Sequence, residues 1–301
     1  MLGAGAAAAQ DYAKERARLV AEVDAMYAST RAETGLAAMS PPVRAALGKV
    51  ERHRFVPSGQ VALAYRNHPL PIGAGQTISQ PYIVALSTDL AQPRAGQRVL
   101  EVGTGSGYQA AMLAEIVGKV YTIELIAELG NAAAERLRAL GYANVEVRIG
   151  DGYAGWPEAA PFDAIVVTAA APRVPPALVE QLKPGGRMVI PVGESAAAPE
   201  LLGITKRADG TIEARPVLPV RLGPRRSFPP ARARRMPCIT STAHRQRRAR
   251  RRRNCTSTLR PLSEADRAVR SHARTSRPQR ARSRQARRWR LLRQHRRTRW
   301  P

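Results

Sequence analysis

Cysteine is nearly absent from this sequence of 301 residues, and both copies, Cys238 and Cys255, lie near its C-terminal end. The first 221 residues therefore form no disulfide and offer no cysteine-based metal site. Long apolar runs are absent too, since none approaches the roughly 20 residues that a membrane-spanning helix needs. These absences exclude a disulfide-stabilised scaffold and a chain anchored by an apolar transmembrane helix.

Positive charge is abundant, but it is distributed unevenly. The formal net charge of +26 suggests a nucleic-acid-binding protein at first sight. Residues 1–221 hold 22 Lys and Arg against 21 Asp and Glu, whereas residues 222–301 hold 27 arginines against Glu264 and Asp266. Only the first part has the charge balance of an ordinary enzyme.

The basic segment from residue 223 is rich in Arg, Pro and Ser, and its apolar residues are too sparse to build a core. We predict a disordered tail over 223–301, and it carries neither zinc-ligand spacing nor an RNA-binding aromatic motif. The abrupt change of composition is typical of a GC-rich gene translated out of frame, so we interpret the tail as a frameshift product. A tail that is translated in the cell would bind RNA or DNA phosphates without sequence preference and with strong salt dependence.

One stretch, residues 98–108, organises the remaining chain. A short β-prone run ends in glycines at alternate positions, Gly103, Gly105 and Gly107, and a helix-compatible run follows over 109–117. A strand, a tight turn and a helix N-terminus bring backbone N–H groups up to a ligand. Glycine suits such a turn because a Cβ would hold the ligand away and because φ is often positive there. Turns of this kind serve dinucleotides, nucleosides and sometimes no ligand.

Strands and helices alternate after this turn. We predict strands at 119–123, 145–149, 162–168 and 187–191, and helices at 127–140 and 175–182. Two further strands, at 201–205 and 217–222, flank a turn and form an antiparallel hairpin. The sequence thus predicts an α/β fold: a doubly wound, mostly parallel, Rossmann-like sheet with helices on both faces and a terminal hairpin.

A helical preface precedes the sheet. Helical spacing extends over 11–38, and Ser40 is expected to cap a second helix that starts with two prolines. The segment 65–82 has no clean periodicity but carries apolar residues, so we expect it to be ordered and packed before a helix at 83–91. We expect one domain over 1–222, with 1–60 as the helical preface, 61–97 as the segment that supplies the substrate side and 98–222 as the ligand-binding sheet.

Two acidic residues follow successive strands of the predicted sheet. Glu124 ends the second strand, where a carboxylate can accept hydrogen bonds from ribose hydroxyls, and Asp151 follows the third, where it can accept from the amine of a base. Each alone could be a solvated strand end or a turn residue. No Gly-Lys-Ser/Thr follows the glycines, which excludes a phosphate-binding P-loop, and the chain has no room for a second nucleotide-binding half. S-adenosyl-L-methionine, a cofactor with one nucleoside, fits best.

Residues from about 38 to 221 resemble the protein-L-isoaspartate (D-aspartate) O-methyltransferase family, S-adenosylmethionine-dependent enzymes of the class I methyltransferase fold. The similarity is carried by the motifs at 52–57, 75–82, 99–108, 150–152, 162–172 and 181–193. The Gln-Thr-Ile-Ser-Gln-Pro segment at 76–81 is the specific part, since the glycine turn alone would indicate only a methyltransferase.

The resemblance implies a role for each matching position. Ser79 and Thr77 are the implied catalytic residues, with the Ser79 hydroxyl nearest the chemistry and also able to cap the next helix, and Gln76 and Ile78 bind substrate. The implied cofactor-binding residues are Glu101, Gly103, Thr104, Gly105, Ser106, Gly107, Glu124, Asp151 and Gly152.

The implied reaction is methyl transfer to the free carboxylate of L-isoaspartyl and D-aspartyl residues in damaged proteins. That carboxylate is ionised at neutral pH, so no general base is required and the protein has mainly to align the reactants. We expect no metal and no covalent enzyme intermediate. The methyl ester then cyclises to a succinimide, which hydrolyses partly to normal aspartate and so begins repair. The expected partners are isoaspartyl proteins and peptides, not membranes, and the expected state is a cytoplasmic monomer, or a periplasmic one if a signal peptide lies upstream.

Two departures from the family pattern stand out. Ala74 replaces a larger side chain between glycines, and the apolar ending that members have after the last strand is missing from about Leu222 onward. An RNA or DNA methyltransferase anchored by the tail is an alternative, although the Asn-Pro-Pro-Tyr motif of base-methylating enzymes is absent. A non-catalytic basic protein on a degenerate scaffold is another, and the intact glycines, Glu124, Asp151 and Ser79 argue against it.

Overall fold

The computed structural model describes residues 4–193 and 199–220, with side chains from residue 12 onward. The chain divides into two compact units, Met1–Arg234 and Arg235–Pro301, and all described residues belong to the first. The predicted tail over 223–301, and with it the frameshift interpretation, lies outside the described residues. No helix of the described ranges is both long and apolar enough to cross a membrane.

The described residues form helices and strands that alternate along most of the chain. The helices are α1 Ala4–Ser29, α2 Arg31–Thr34, α3 Pro41–Lys49, α4 Pro81–Ala91, α5 Tyr108–Ala114, α6 Ala127–Ala139 and α7 Pro176–Gln181. The strands are β1 Leu70–Gly73, β2 Gln76–Ile78, β3 Arg98–Val102, β4 Lys119–Glu124, β5 Val145–Ile149, β6 Phe162–Val167, β7 Leu182–Val192, β8 Glu200–Lys206 and β9 Ile212–Pro219. Short 3₁₀ helices occur at Arg52–Phe55, Ser58–Leu63, Gly152–Ala154 and Pro157–Ala159.

Seven strands form one sheet in the order β5-β4-β3-β6-β7-β8-β9. Strands β3 to β7 run parallel to their neighbours, whereas β8 and β9 pair antiparallel. The predicted doubly wound, mostly parallel sheet with an antiparallel end is confirmed. The strand order reverses between β3 and β6, and in such sheets ligands bind at the carboxyl ends of the strands at this switch point.

Side chains of the central strands alternate between two apolar clusters, one on each face of the sheet. In β3, Val99 packs into the cluster that also contains residues of α1, α3, α4 and α5. Its neighbours Leu100 and Val102 pack into the other cluster, together with Leu178 of α7. The alternation follows from the period of two along a strand, and it buries both faces of the sheet under helices as predicted.

The helical preface is fastened to α4 through a buried carboxylate. Asp89 Oδ2 accepts a hydrogen bond of 2.6 Å from the Tyr27 hydroxyl, and the Ser40 backbone N–H donates to both Asp89 oxygens at 3.3 Å. Burial raises the pKa of Asp89 above its usual value. The preface thereby fixes the helix that follows Ser79.

Several predicted boundaries in the preface are wrong. The first helix ends at Ser29, and a separate short helix ends at Gly35 (φ +75), so no single helix reaches residue 38. The second helix begins after Ser40 with two prolines, as predicted, but the Ser40 side chain makes no capping hydrogen bond, and its backbone N–H donates to Asp89.

Other differences concern strands. β7 begins at Leu182 rather than at 187, because 183–186 continue the strand through a register irregularity opposite Phe162 and Ala164. β9 spans Ile212–Pro219 rather than 217–222, since the turn before it closes at Thr211, whose N–H donates to Asp209 Oδ1 at 2.9 Å. The segment expected to be irregular but packed contains a hairpin, β1–β2. The proline in β1 hides it from strand patterns.

Candidate active site

The glycine turn after β3 is assembled by its neighbours. Gly103 N–H donates to the Ile123 carbonyl at 2.8 Å, and Gly105 N–H donates to Glu124 Oε2 at 2.8 Å. Gly103, Gly105 and Gly107 have φ values of +103°, +54° and +89°. The positive φ values expected from the sequence are therefore present, and they let the chain turn within a few residues.

The alternating glycines meet different neighbours. A Cβ on Gly103 would stand 2.4 Å from Thr168 Oγ1, and one on Gly107 would stand 3.1 Å from a methyl group of Leu137. A Cβ on Gly105 would lie 3.4 Å from the Ile72 side chain of the β1–β2 hairpin. Gly103 and Gly107 thus permit close packing, and Gly105 lies where the hairpin meets the turn.

Glu124 holds the turn from the end of β4. Its Oε2 accepts from Gly105 N–H at 2.8 Å and its Oε1 accepts from Ile126 N–H at 2.9 Å, and the side chain is buried. A carboxylate has about four acceptor positions, so each oxygen keeps capacity for a ligand hydroxyl. Glu124 can therefore hold the turn in place and accept hydrogen bonds from a ribose at the same time.

Asp151 lies beside Glu124 at the end of the next strand. The Gly150 N–H donates to the Glu124 carbonyl at 2.9 Å, and Asp151, which is exposed, accepts from Tyr153 N–H at 2.9 Å. The loop beyond is clamped by Gln181, whose Oε1 accepts from the Trp156 N–H at 2.7 Å. Asp151 and the buried Gly152 are thus placed next to Glu124, as predicted from the strand ends.

Two apolar side chains near these carboxylates were missed by the sequence reasoning. Leu125 and Ile149 are 41% and 42% exposed, and they are two of the four large apolar side chains that are exposed in the described part of the chain. Leu125 directly follows Glu124, and Ile149 is paired with Glu124 in the sheet register. The sequence offered one signal for this apolar surface, namely an apolar residue, Leu125, directly after the acidic residue that ends β4.

Glu101 lies beneath the turn. Its side chain is fully buried, Oε2 accepts from Thr122 Oγ1 at 2.6 Å, and Oε1 has no hydrogen-bond partner among the described residues. Thr122 also shares a hydrogen bond of 2.6 Å with Thr104. Burial, with a smaller contribution from the charge of Glu124, raises the pKa of Glu101 to about 8. The carboxyl group is therefore neutral at pH 7.

The substrate-side residues predicted from the sequence lie on and after the β1–β2 hairpin. Gln76, Thr77 and Ser79 are half-buried, whereas Ile78 is buried in the core opposite Leu70. The expectation that Ser79 caps the next helix is wrong.

The cap of α4 is supplied from elsewhere in the chain. Gln80 stands at the capping position, and the first-turn N–H of Tyr82 donates to Asn67 Oδ1 at 3.0 Å. The Ser79 side chain is thus not used by the helix.

A small cavity lies beside Ser79, and its walls also contain Gln109, Thr168 and Val220. Thr168 follows β6, and its Oγ1 donates to the Gly103 carbonyl at 2.6 Å. The substrate-side serine and the glycine turn therefore meet at the switch point of the sheet.

Comparison with known proteins identifies the family to which this chain belongs. Residues 25–226 match the family model described as protein-L-isoaspartate(D-aspartate) O-methyltransferase (PCMT). The chain belongs to this family. It is 57% identical over 206 residues to protein-L-isoaspartate O-methyltransferase 2 of Polaromonas sp. (strain JS666). The matched region covers 68% of this chain and 98% of the relative. The chain is 62% identical over 190 residues to protein-L-isoaspartate O-methyltransferase 1 of Nitrosospira multiformis, covering 62% and 80%.

Solved structures agree with the family. A protein-L-isoaspartate O-methyltransferase is similar with a TM-score of 0.62 and 28% identity, over 70% of this chain and 65% of that one. A second, from Plasmodium falciparum and in complex with S-adenosyl-L-homocysteine, has a TM-score of 0.55 and 26% identity, over 63% and 90%. The predicted family, the class I methyltransferase fold, and S-adenosylmethionine-dependent isoaspartyl methyl transfer as the activity are confirmed.

The isoaspartate methyltransferase fold brings most of the predicted site together. The glycine turn, Glu124 and Asp151 are linked by hydrogen bonds into one rim, and Ser79 lies near it, since Thr168 lines a cavity with Ser79 and donates to Gly103. Several predicted residues have buried side chains, among them Glu101, Thr104 and Ile78. Ser106 is buried as well, and its carbonyl accepts from Arg136 Nη1 at 2.9 Å.

Proposed function

We propose that the cavity lined by Ser79 and Thr168 is where the carboxylate of an isoaspartyl residue receives its methyl group. The proposal is carried by the Thr168 contact, because Thr168 lines the cavity with Ser79 and also hydrogen-bonds the glycine turn at Gly103. A methyl acceptor beside Ser79 would thus lie next to a cofactor on the turn.

The residues on the rim fit S-adenosylmethionine. Gly105 leaves the backbone of the turn open to a ligand, and Glu124 has acceptor capacity for the ribose hydroxyls. Leu125 and Ile149 would cover the faces of the adenine, and Asp151 would accept from its exocyclic amine. The same rim offers both the polar and the apolar contacts that a nucleoside requires.

When bound, S-adenosylmethionine supplies an electrophilic methyl group on a sulfonium that leaves as a neutral thioether. The chain has correspondingly little proton chemistry to perform, since the accepting carboxylate is ionised at neutral pH. Ser79 and Thr77 would donate hydrogen bonds that orient one carboxylate oxygen and leave the other free to attack. The apolar walls at Val84, Leu201 and Val220 would exclude water.

The finer features of the protein's biology are part of the same proposal. The acceptors would include D-aspartyl as well as L-isoaspartyl residues in proteins and peptides, and the ester would proceed through a succinimide to begin repair. The protein would act in the cytoplasm and as a monomer. Sedimentation of the purified chain and fractionation of cells test these two points.

The experiment that tests the function is transfer of a labelled methyl group to an isoaspartyl peptide, with the normal aspartyl peptide as control. We expect label in the isoaspartyl peptide alone and in base-labile form. The S79A variant should lower kcat by about tenfold or more, as expected for loss of a hydrogen bond that orients the reacting group. S58A, an exposed serine on a 3₁₀ helix, is the matched control. Equal labelling of both peptides contradicts the proposal.

A further inference from the structure

Arg52 is a fully buried arginine next to the substrate side of the site. It lies on the 3₁₀ helix Arg52–Phe55 and is one of the largest side chains with no exposed surface. No acidic group of the described residues forms an ion pair with it. A buried cation is costly unless charge or hydrogen bonds compensate it, so its position requires a physical reason.

The guanidinium group closes the base of the β1–β2 hairpin. Nη2 donates to the carbonyl of His68 at 3.2 Å and to the carbonyl of Ser79 at 3.0 Å. His68 comes two residues before β1 and Ser79 directly follows β2. Nη1 adds a longer bond of 3.4 Å to the Ala64 carbonyl. One side chain thus holds both ends of the hairpin and the main chain of Ser79.

These carbonyl groups leave the positive charge without a negative partner. The Nε atom is buried and has no hydrogen-bond partner among the described residues, and Cζ lies 5.4 Å from the centre of the Tyr108 ring. The π face and the carbonyl dipoles attract a cation, but neither neutralises it. Burial lowers the pKa of Arg52 to about 10, which leaves the group charged at neutral pH.

We propose that Arg52 is a positioning residue for the methyl-accepting carboxylate: its guanidinium fixes the Ser79 main chain and places an unpaired positive charge behind the cleft. The proposal rests on the proposed function, in which that carboxylate binds beside Ser79. The substrate then supplies the anion that the described protein residues do not. In a site of low dielectric constant a preorganised charge acts over several ångströms without touching the ligand.

The test uses the full-length chain with R52Q, R52K and, as matched control, R215Q. Arg215 also donates to a main-chain carbonyl, that of Thr34 at 2.8 Å, but it is on β9 and not in the proposed site. For each variant we would measure the melting temperature, the Kd for S-adenosylmethionine, and kcat and KM for an isoaspartyl peptide. Binding of that peptide and of its uncharged β-linked amide analogue to protein saturated with S-adenosylhomocysteine completes the set.

We expect R52Q to raise KM for the isoaspartyl peptide by about tenfold or more, with the Kd for S-adenosylmethionine within about twofold of wild type. R52Q should also lose the preference for the charged peptide over the amide analogue. R52K keeps the charge without the guanidinium fork, so it should retain that preference while its kcat and KM worsen through the looser hold on Ser79, and R215Q should match wild type. R52M replaces R52Q if the latter does not fold.

Loss of the preference for the charged peptide in both R52Q and R52K overturns the proposal, because the preference then depends on the guanidinium shape and not on its charge. An unchanged KM in R52Q, or a Kd for S-adenosylmethionine that rises as much as KM, overturns it as well. These outcomes leave the proposed function standing if the wild-type chain methylates the isoaspartyl peptide. A wild-type chain that neither binds nor methylates the peptide contradicts the proposed function itself, and the role of Arg52 with it.

Discussion

Thr168 Oγ1 donates a hydrogen bond of 2.6 Å to the carbonyl of Gly103, and a Cβ on Gly103 would stand 2.4 Å from that same oxygen. This hydrogen bond links the turn after β3 to the residue after β6 at the switch point of the sheet. It therefore connects the glycine turn directly to Thr168 in the wall of the cavity. Any side chain at residue 103 has to break this contact before the turn can form.

The first prediction follows directly. G103A should reduce stability by about 2 kcal/mol, since the residue combines a left-handed φ with a steric conflict, and should weaken S-adenosylmethionine binding by about tenfold or more. Gly210 is the matched control, because it has a φ of +84° but no atom within 4 Å of an added Cβ. Chemical unfolding and calorimetry measure both effects. Unchanged cofactor binding in G103A, or an equal loss in G210A, contradicts the prediction.

Glu124 gives the second prediction. Its two oxygens accept from Gly105 and Ile126 N–H groups, and the NH₂ group of a glutamine would place a donor against one of these donors. E124Q should therefore lower stability by about 1–3 kcal/mol and also weaken cofactor binding. E135Q, on the exposed side of α6, should be neutral. A variant that binds S-adenosylmethionine as tightly as wild type would show that Glu124 does not hold the ribose.

The third prediction concerns pH. The unfolded chain releases the Glu101 proton above its ordinary pKa of about 4.3, whereas burial keeps the group protonated in the folded protein up to about pH 8. Folding takes up a proton between these values, so the Glu101 contribution to stability falls as pH rises through this range and is constant above it. The difference in unfolding free energy between wild type and E101Q should therefore decrease with pH.

Urea unfolding at a series of pH values measures this difference. E158Q is the control, since Glu158 is exposed and its pKa is lowered by hydrogen bonds that include Arg148, so its contribution changes only at acidic pH. A difference between wild type and E101Q that stays flat from weakly acidic to weakly basic pH contradicts a raised pKa of Glu101.

The fourth prediction concerns the tip of the hairpin. Ala74 has a φ of +48° between two glycines, a conformation that costs an L-residue about 1–2 kcal/mol. A74G should therefore raise the free energy of unfolding, by up to about 1 kcal/mol after the greater freedom of the unfolded chain is counted. A132G, at an exposed position in α6, should lower it by about 1 kcal/mol. Two changes of the same sign in thermal melts would contradict the strain at Ala74.

The fifth prediction separates the enzyme from its basic tail. The full-length chain should bind unrelated single-stranded RNAs alike, and affinity should fall by about tenfold or more between low and physiological salt, because 27 arginines lie within 222–301. A chain ending at residue 222 should lose this binding and keep isoaspartyl methyl transfer. Fluorescence anisotropy and the labelled-methyl assay report the two activities. Methylation of RNA that is lost on truncation would favour a nucleic-acid methyltransferase, and loss of peptide methylation on truncation would contradict the prediction.

Local patterns were sufficient to predict much of the site. The glycines at alternate positions, and the acidic residues Glu124 and Asp151 at strand ends, are each defined within a few residues of the chain, so the sequence shows them directly. The alternation of strands and helices likewise predicted a mostly parallel sheet with helices on both faces, but not the order of its strands.

Contacts between distant residues could not be predicted in this way. Thr168 and Gly103 are 65 residues apart and Arg52 and Ser79 are 27 apart, and each contact depends on how the elements pack. The capping of α4 by Asn67 and the recruitment of Ser40 by Asp89 are of the same kind. In α4, Asn67 thus replaces the nearby serine that local capping rules favour.

The two hydrogen bonds of the Glu124 carboxylate have a consequence for the kinetics of methyl-donor binding. Because the N–H groups of Gly105 and Ile126 donate to Glu124, the protein's own hydrogen bonds hold the shape of the turn, and binding should order little further backbone. Association should then be a single bimolecular step whose observed rate rises linearly with ligand concentration and reaches no plateau. The enzyme would thus bind the methyl donor at a preformed surface, without a later step in which the protein closes around it.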